Sequence, residues 1–597
     1  MKSKYILAFA TLFIAFSCEI YDLDINTDPN NPTKASLDLL LPTIQINWAY
    51  HYQSINDISA GIMGHTSNSD GLNFTQNSFD GLWSAIYLSE VSDLDEYVKA
   101  ASLEDENGVL LTPGPLGVGK IYKAHIFSTL VDVFGDVPFT EAAQGNDDGN
   151  VAPAYDDQTA IYTACLTMLD EAIGHLSSTS LKVDGDMIYG GVTTRWLAAA
   201  YSMKLKLLMQ VRNAPGFTYG TGVNAEIRDL IDNHAADLIG ASSSKPSFAF
   251  NYNTNVALGQ RHPWMGAVYS GDNSFSYIMH QLMYEMLINH DPRIAYYIKR
   301  QTTAELDQAD ASQKNTTPCS QNSACIYGYM VQNAGVMSEL QAAGVITDVN
   351  GAADRAYVAS FFGRDKGDPS GIPLDGPLRT APGVYPMGGQ YDVGAPSKIS
   401  ASNGVDLGNG VTYFISAAMV SMYKVEAYLD IYADAALART ELEKFINLSL
   451  DQVESVGVSI GAGSMNNVAA DTQHKHVYSK TAYVASAMAR YDAAADKKNA
   501  AFKEAWYSFF GSGFELYNSF RRTGYPRMKT DQSGVRGVAD IQYPTFRATS
   551  STTGQRNFPV RWTYPVSEFT LNPNLTDILL SDGTVGIFWD NSLFKYN

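Results

Sequence analysis

Gly457-Val-Ser459-Ile-Gly461 has the Gly-x-Ser-x-Gly spacing of a nucleophile elbow, and His474 and His476 follow it downstream. That chemistry needs the serine on a sharp turn between a strand and a helix, where its hydroxyl stands clear of the sheet. Here a helical pattern precedes the motif and Gly461-Ala-Gly463-Ser-Met-Asn-Asn follows it, so the setting does not suit a serine hydrolase. No His-Glu-x-x-His, phosphate-binding loop or dinucleotide fingerprint after a strand is present. With 62 acidic residues a pair of glycosidase carboxylates stays open, but no spacing singles one out. Asp22, Asp24, Asn26 and Asp28 alternate like the opening of a calcium loop. Thr27 stands at the sixth position, where Gly makes the sharp turn, and Thr33 at the twelfth, where a bidentate Glu closes the site, so the pattern fails. The sequence thus assigns no catalytic residue, no metal ligand and no cofactor.

Side chains suited to binding are more prominent. The chain has 36 tyrosines and 7 tryptophans. Trp264, Tyr269, Tyr357, Phe361, Phe362, Tyr385 and Tyr391 lie in or beside turn-rich sequence. A ring face covers the apolar C–H face of a pyranose, while nearby Asn, Asp and Arg bond the hydroxyls. Rigid aromatic side chains also lose little conformational entropy on contact. Trp264, Tyr269, Tyr385 and Tyr391 are the candidate ligand contacts. The alternative is that such rings pack the loops onto a helical body. Cys319 and Cys325 flank a polar stretch and suit a local disulfide in an oxidising compartment. Cys165 falls on the apolar face of a predicted helix and reads as a buried thiol. None of these spacings makes a zinc site.

The N-terminus supplies the compartment. Lys2 and Lys4 precede an uncharged, mostly apolar run from Ile6 to Phe16. A membrane-spanning helix needs roughly 20 apolar residues, so this shorter run reads as the core of a secretory signal peptide. It ends at Ala15-Phe16-Ser17-Cys18, which resembles the lipobox of bacterial lipoproteins. In that class Cys18 becomes the first mature residue and carries several acyl chains, since one chain anchors only marginally. An ordinary signal peptide with a chance cysteine is the alternative. Residues 1–17 are therefore read as signal peptide and 18–36 as a lipidated, acidic, proline-containing tether. The formal net charge is -21 and no run of Lys or Arg offers a phosphate-binding stripe, which argues against nucleic acid as a partner.

The elements that must position these residues are mainly helical. Across Gln158–Leu176, Ile161, Cys165, Met168, Leu169, Ala172 and Leu176 recur at three- and four-residue steps, behind an N-cap at Asp156 or Asp157. Thr193–Arg212, Leu82–Ala100 and Val118–Phe134 read the same way. Residues 246–412 are rich in Gly, Pro, Ser and Asn, with one helix near Tyr277–Arg300 and turn signals throughout Arg364–Gly410. A loop region that long tends to be functional. Helical periodicity returns over Phe414–Val456 and Thr481–Phe520. The reading is one domain over 37–597, with a helical scaffold at 37–245 and 413–530 and a loop-rich region at 246–412. No clean repeat of about 34 residues is visible.

Five segments, in order, resemble the SusD/RagB family, in particular its SusD-like lipoprotein branch. They are Asn26-Thr-Asp-Pro-Asn-Asn-Pro32; Asp132-Val-Phe-Gly-Asp-Val-Pro-Phe-Thr-Glu-Ala142 with Tyr155-Asp-Asp-Gln-Thr-Ala-Ile-Tyr162; Asp291-Pro-Arg293; Gly513-Phe-Glu-Leu-Tyr-Asn-Ser-Phe-Arg-Arg-Thr-Gly-Tyr-Pro526; and Tyr564-Pro-Val-Ser-Glu-Phe-Thr-Leu-Asn-Pro-Asn574. The resemblance implies a mainly α fold of TPR-like helix pairs, with a loop-rich ligand-binding side and little β structure. It implies a cell-surface outer-membrane lipoprotein, anchored through Cys18, that binds oligosaccharide and delivers it to a SusC-like TonB-dependent transporter. Some members bind peptides instead, and the family's proteins are not enzymes. A secreted glycoside hydrolase and a helical scaffold or adhesin are the readings from other classes. The matched motifs read as fold signatures: Gly135 and Pro138 break a helix, and Arg521 and Arg522 suit helix-terminal carbonyls or a carboxylate. Glu568, Asn572 and Pro573 form a polar closing turn. The aromatic arc of the family's starch-binding member does not align here, so no binding residue carries over from it.

Overall fold

Helix forms where the chain offers a long apolar stripe. The computed structural model describes residues 36–67, 79–143, 149–255, 259–269, 276–301, 330–332, 334–363, 379–392, 396–459, 464–465, 479–527, 549–550, 554–555, 559–575 and 586–590. The signal-peptide and tether expectations, Cys18, and the proposed Cys319–Cys325 disulfide lie outside those residues. Helix α1 spans Leu37–Ile62, and its Leu41, Ile44, Trp48, Tyr52 and Ile55 are all buried along one face. The helix expected over Leu82–Ala100 is instead α2 (Asp80–Ala85), a π-helical turn (Ile86–Val91) and α3 (Ser92–Ala101). The wider turn lets Glu90 and its neighbour Val91 both face inward, and Glu90 there meets His51.

Helices α4 (Pro113–Phe134), α5 (Gln158–Ser177), α6 (Thr193–Val211) and α7 (Val223–Asp232) then pack each on the one before. Asp157 caps α5, accepting the backbone N–H of Thr159 at 2.9 Å and Ala160 at 3.0 Å. Helix α4 is buried nearly all round. Its Gly117 and Gly119 let the neighbours close in: a Cβ on Gly119 would sit 2.9 Å from Val98 and one on Gly117 2.8 Å from Leu176. Gly135, at φ 91°, ends α4 as the motif predicts. Cys165 is fully buried, and burial pushes its thiol up.

The middle of the chain holds α8 (Trp264–Val268), α9 (His280–Ile288), α10 (Ile294–Tyr297), α11 (Ala334–Ala342) and α12 (Ala352–Ala359). The single helix expected over Tyr277–Arg300 is therefore broken. His290 takes a left-handed φ of 51°, and the ring of Pro292 cannot continue the α9 ladder. Helices α13 (Ala417–Asp430), α14 (Ala435–Val458), α15 (Lys480–Ala493), α16 (Lys497–Ser508) and α17 (Gly513–Thr523) complete the body, with a short α18 (Val566–Leu571) beyond. Ser416, Asp434, Ser479 and Asp496 cap α13 to α16 with side-chain oxygens, which ends each loop at a defined residue.

The strands are short: β1 (Thr66–Ser67), β2 (Phe248–Asn251), β3 (Tyr277–Ile278), β4 (Ile298–Lys299), β5 (Ala381–Pro382), β6 (Val411–Ile415), β7 (Thr549–Ser550) and β8 (Gly554–Gln555). They pair antiparallel two by two, β1 with β3, β2 with β6, β4 with β5 and β7 with β8. Helix dominates and strand is minor, as the resemblance implies. Helix α17 lies against α1, with every residue buried, so the two ends of the described body share one core.

Candidate functional site

Ser459 follows the last turn of α14, and its hydroxyl donates to the carbonyl of Val456 at 2.7 Å. A helix, not a strand, leads into it, so the elbow geometry is not formed. His474 and His476 lie outside the described residues. Among the described residues no group of His, Cys, Asp and Glu side chains is placed to hold a metal ion, and no helix is long and apolar enough to cross a membrane.

The four candidate rings are distributed along the seam between the middle segments and the helical body. Trp264 is buried, and its indole N–H donates to Asp57 of α1 at 2.6 Å. Gln53 donates to the same oxygen at 2.8 Å. Burial pushes the Asp57 carboxyl up to about 7, against the pull of those two bonds. His262, edge-on to Trp264, is buried and its imidazole falls to about 3. Tyr269 is buried; its hydroxyl accepts the backbone N–H of Gln390 at 3.0 Å. Tyr385 is buried, stacks on Tyr297 with 5.5 Å between ring centres, and accepts from Gln452 of α14 at 2.8 Å. Tyr391 is partly exposed and meets Tyr296 edge-on at 4.8 Å. Phe361 and Phe362, read as neighbours of the site, are wholly buried.

Three of the four rings thus lie enclosed, where a sugar cannot reach their faces in this conformation. The physical reason is the one set against them at the outset: a large apolar ring with one polar handle anchors a turn-rich segment well. The structure brings Tyr269 and Tyr391 to adjoining positions through Gln390, and of the four rings Tyr391 alone is partly exposed. The sequence did not point to Asp57, whose partner Trp264 is distant in the chain.

Of the matched motifs, Asn26–Pro32 lies outside the described residues, Asp132, Arg293 and all of α17 are buried, and α18 has no buried residue. Asp132 accepts from Tyr162 at 2.5 Å, Asn518 at 2.7 Å and Trp589 at 2.9 Å, and burial still pushes its carboxyl to about 6. Arg521 donates to the carbonyls of Val560 and Asp132 at 2.8 and 2.7 Å, on other segments rather than its own helix end. Arg522 donates to Glu426 at 2.7 Å. Glu568 accepts from Trp83 at 3.0 Å and Tyr155 at 2.7 Å, and Asn572 donates to the carbonyl of Pro153 at 2.9 Å. These residues hold segments together and are not presented to a ligand.

Two clefts open elsewhere. One of about 220 Å³ lies between the start of α1, residues 111–115 and residues 179–184. The other, of about 210 Å³, lies among α9, α15 and α16. Neither is lined by any of the four rings.

A family model described as "Starch-binding associating with outer membrane" matches residues 29–336. No curated protein matches. Among solved structures, a SusD homologue from Bacteroides fragilis superposes at a TM-score of 0.60 with 18% identity, over 93% of this chain and 99% of its own. A SusD/RagB family protein from Bacteroides thetaiotaomicron gives 0.61 with 16% identity, over 94% and 99%. A chitin-binding SusD homologue from Flavobacterium johnsoniae gives 0.56 with 16% identity, over 93% and 97%. At such identities the likeness is one of fold.

Proposed function

We infer the function from one premise: the chain belongs to the SusD/RagB family. It is a nutrient-binding protein of the outer membrane that captures oligosaccharide at the cell surface and hands it to a SusC-like TonB-dependent transporter. The observation that carries this reading is the match over residues 29–336 to a family described as starch-binding and associated with the outer membrane. The chitin-binding SusD homologue of the same fold supports glycan as the ligand class. Ser459, spent on its own helix end, supports binding rather than catalysis. Cys18 supplies the anchor.

On this reading the glycan contact is the face carrying Tyr391, supported by the partial exposure of that ring, with the buried Trp264, Tyr269 and Tyr385 holding the face in position. Affinity electrophoresis of the chain truncated after Cys18, against starch, chitin and a wider set of polysaccharides, tests this. Retardation by at least one glycan is expected, and Tyr391→Ala is expected to abolish most of it without changing the melting temperature. Retardation unchanged in Tyr391→Ala moves the site elsewhere. Retardation by no glycan, together with binding of peptides, replaces the ligand class.

The anchor has its own test. Mass spectrometry of the N-terminal peptide from cells is expected to show an acylated Cys18 as the first residue. A mature chain that begins at any other residue, or at an unmodified Cys18, removes the anchor from the reading.

A further inference from the structure

The cleft among α9, α15 and α16 is built by one face of each helix. Glu285, Ile288 and Asn289 come from α9 and its end, Ala487 and Arg490 from α15, and Ala500, Lys503, Glu504 and Tyr507 from α16, all at three- and four-residue spacing. Its charges cancel in two pairs: Lys503 meets Glu285 at 2.9 Å and Arg490 meets Glu504 at 2.7 Å. The two carboxylates lie at the base, Glu285 at 1% and Glu504 at 3% exposure. Each is fixed further by a phenol, Tyr507 on Glu285 at 2.6 Å and Tyr483 on Glu504 at 2.7 Å. The two cations stand at the mouth, with side chains 28% and 33% exposed. Ile288, Ala487 and Ala500 supply apolar lining.

This chemistry selects a ligand. An anion entering the cleft meets Glu285 and Glu504, and a cation meets Lys503 and Arg490, so neither gains net attraction. A hydroxyl both donates and accepts, so it joins either ion pair without displacing a partner. The apolar lining suits the C–H face of a ring. At about 210 Å³ the cleft is below the range of about 300–1,000 Å³ common for drug-sized ligands, which leaves room for one ring and not a chain. We propose that this cleft is a second binding site, for a single uncharged sugar ring, on the helical body and separate from the Tyr391 face. The inference stands on the lining residues and not on the surface-capture reading.

Hydrogen–deuterium exchange of the chain truncated after Cys18, with glucose, N-acetylglucosamine and glycine each added alone, tests it. One of the two sugars is expected to slow exchange in the peptides covering 280–290 and 484–507, and glycine is not. Ala500→Met, which fills the cleft while leaving all four charged side chains in the sequence, is expected to weaken that protection about tenfold or more. Lys503→Arg, which keeps a cation on Glu285 but crowds the open mouth, is expected to weaken it as well should the methionine at 500 disturb folding. Polysaccharide retardation at the Tyr391 face is expected to persist in both variants. Sugar protection here without any polysaccharide retardation supports this site while removing the surface-capture reading. No protection by either sugar, protection by glycine instead, or protection that survives both substitutions overturns the proposal.

Discussion

Glu426→Gln is expected to lower the free energy of unfolding by about 3 kcal/mol at neutral pH. Glu426 of α13 is buried, and it accepts from Arg522 at 2.7 and 3.2 Å and from Arg212 at 2.9 and 3.1 Å. Removing its charge strands two guanidinium groups that are themselves buried or nearly so. Breaking a buried pair typically costs about 3–5 kcal/mol. The lower end applies because Asp430 still meets Arg212 and Gln210 still accepts from Arg522 at 2.5 Å. Burial alone pushes the Glu426 carboxyl up, but Arg522 and Arg212 outweigh it and hold the group at about 2 rather than 4.5. A carboxyl depressed in the fold stabilises it fully above the unfolded value, and that contribution fades as pH falls from about 4.5 toward 2. Holding the carboxyl at about 2 rather than 4.5 corresponds to about 3 kcal/mol, the same size as the expected loss. Urea unfolding of wild type and variant at neutral pH and near pH 3 checks this: the gap between them should shrink by more than half on acidification. A gap that ignores pH would mean the pair contributes through packing and not charge. Asp57 and Asp132 titrate with the opposite sign, because their carboxyls are raised to about 7 and 6 and so favour the fold less as pH rises. The variant comparison isolates Glu426 from them.

What the sequence made legible was local or repeated in a long motif. The Asp157 cap and the apolar stripe of α5 depend on residues within a few positions of one another, and both are found where the spacing put them. Gly135 and Pro138 ended α4 for the same reason. The middle of the chain was harder. Its Gly, Pro and Asn content read as loop, yet α8 to α12 lie within it, and the one helix expected there is broken at Pro292. Those short helices are fixed by partners far along the chain, as Trp264 is by Asp57 and Tyr385 by Gln452. No periodicity within the segment records such partners. Exposure of the candidate rings was illegible for that same reason, since a tryptophan in a turn-rich stretch looks alike whether it faces solvent or a carboxylate. The cleft among α9, α15 and α16 was invisible in sequence because its ion pairs, Glu285–Lys503 and Arg490–Glu504, join or face elements that only the fold brings together. The arginines of the matched motif were legible as anchors, but their partners Glu426, Val560 and Asp132 were not.

Arg293→Met is expected to cost about 3–5 kcal/mol, more than Glu426→Gln, because among the described residues no second cation pairs with the carboxylate it leaves. Arg293 is fully buried and grips Asp291 with its Nε at 2.9 Å and a terminal nitrogen at 2.6 Å. Its other donors reach Ser449 of α14 at 2.9 Å, Ser508 of α16 at 2.5 Å and Tyr483 of α15 at 2.8 Å. One side chain therefore ties the turn between α9 and α10 to three helices. Methionine fills much of the volume but offers no donor, so Asp291 stays buried and uncompensated, and the hydroxyls of Ser449, Ser508 and Tyr483 each lose one donor. Replacing both charges, as Asp291→Asn with Arg293→Met, should recover about half the loss, because the stranded charge and not the missing contact dominates. Equal losses in the single and double variants would reverse that ordering. The consequence for binding follows from position. Tyr297, on α10 beside Arg293, donates to the carbonyl of Ser508 at 3.2 Å and stacks on Tyr385, which leads the chain toward Tyr391. Loosening this turn should weaken glycan retardation only as the melting temperature approaches that of the assay. Retardation lost in a variant that melts no sooner than wild type would instead make Arg293 a determinant of the binding face.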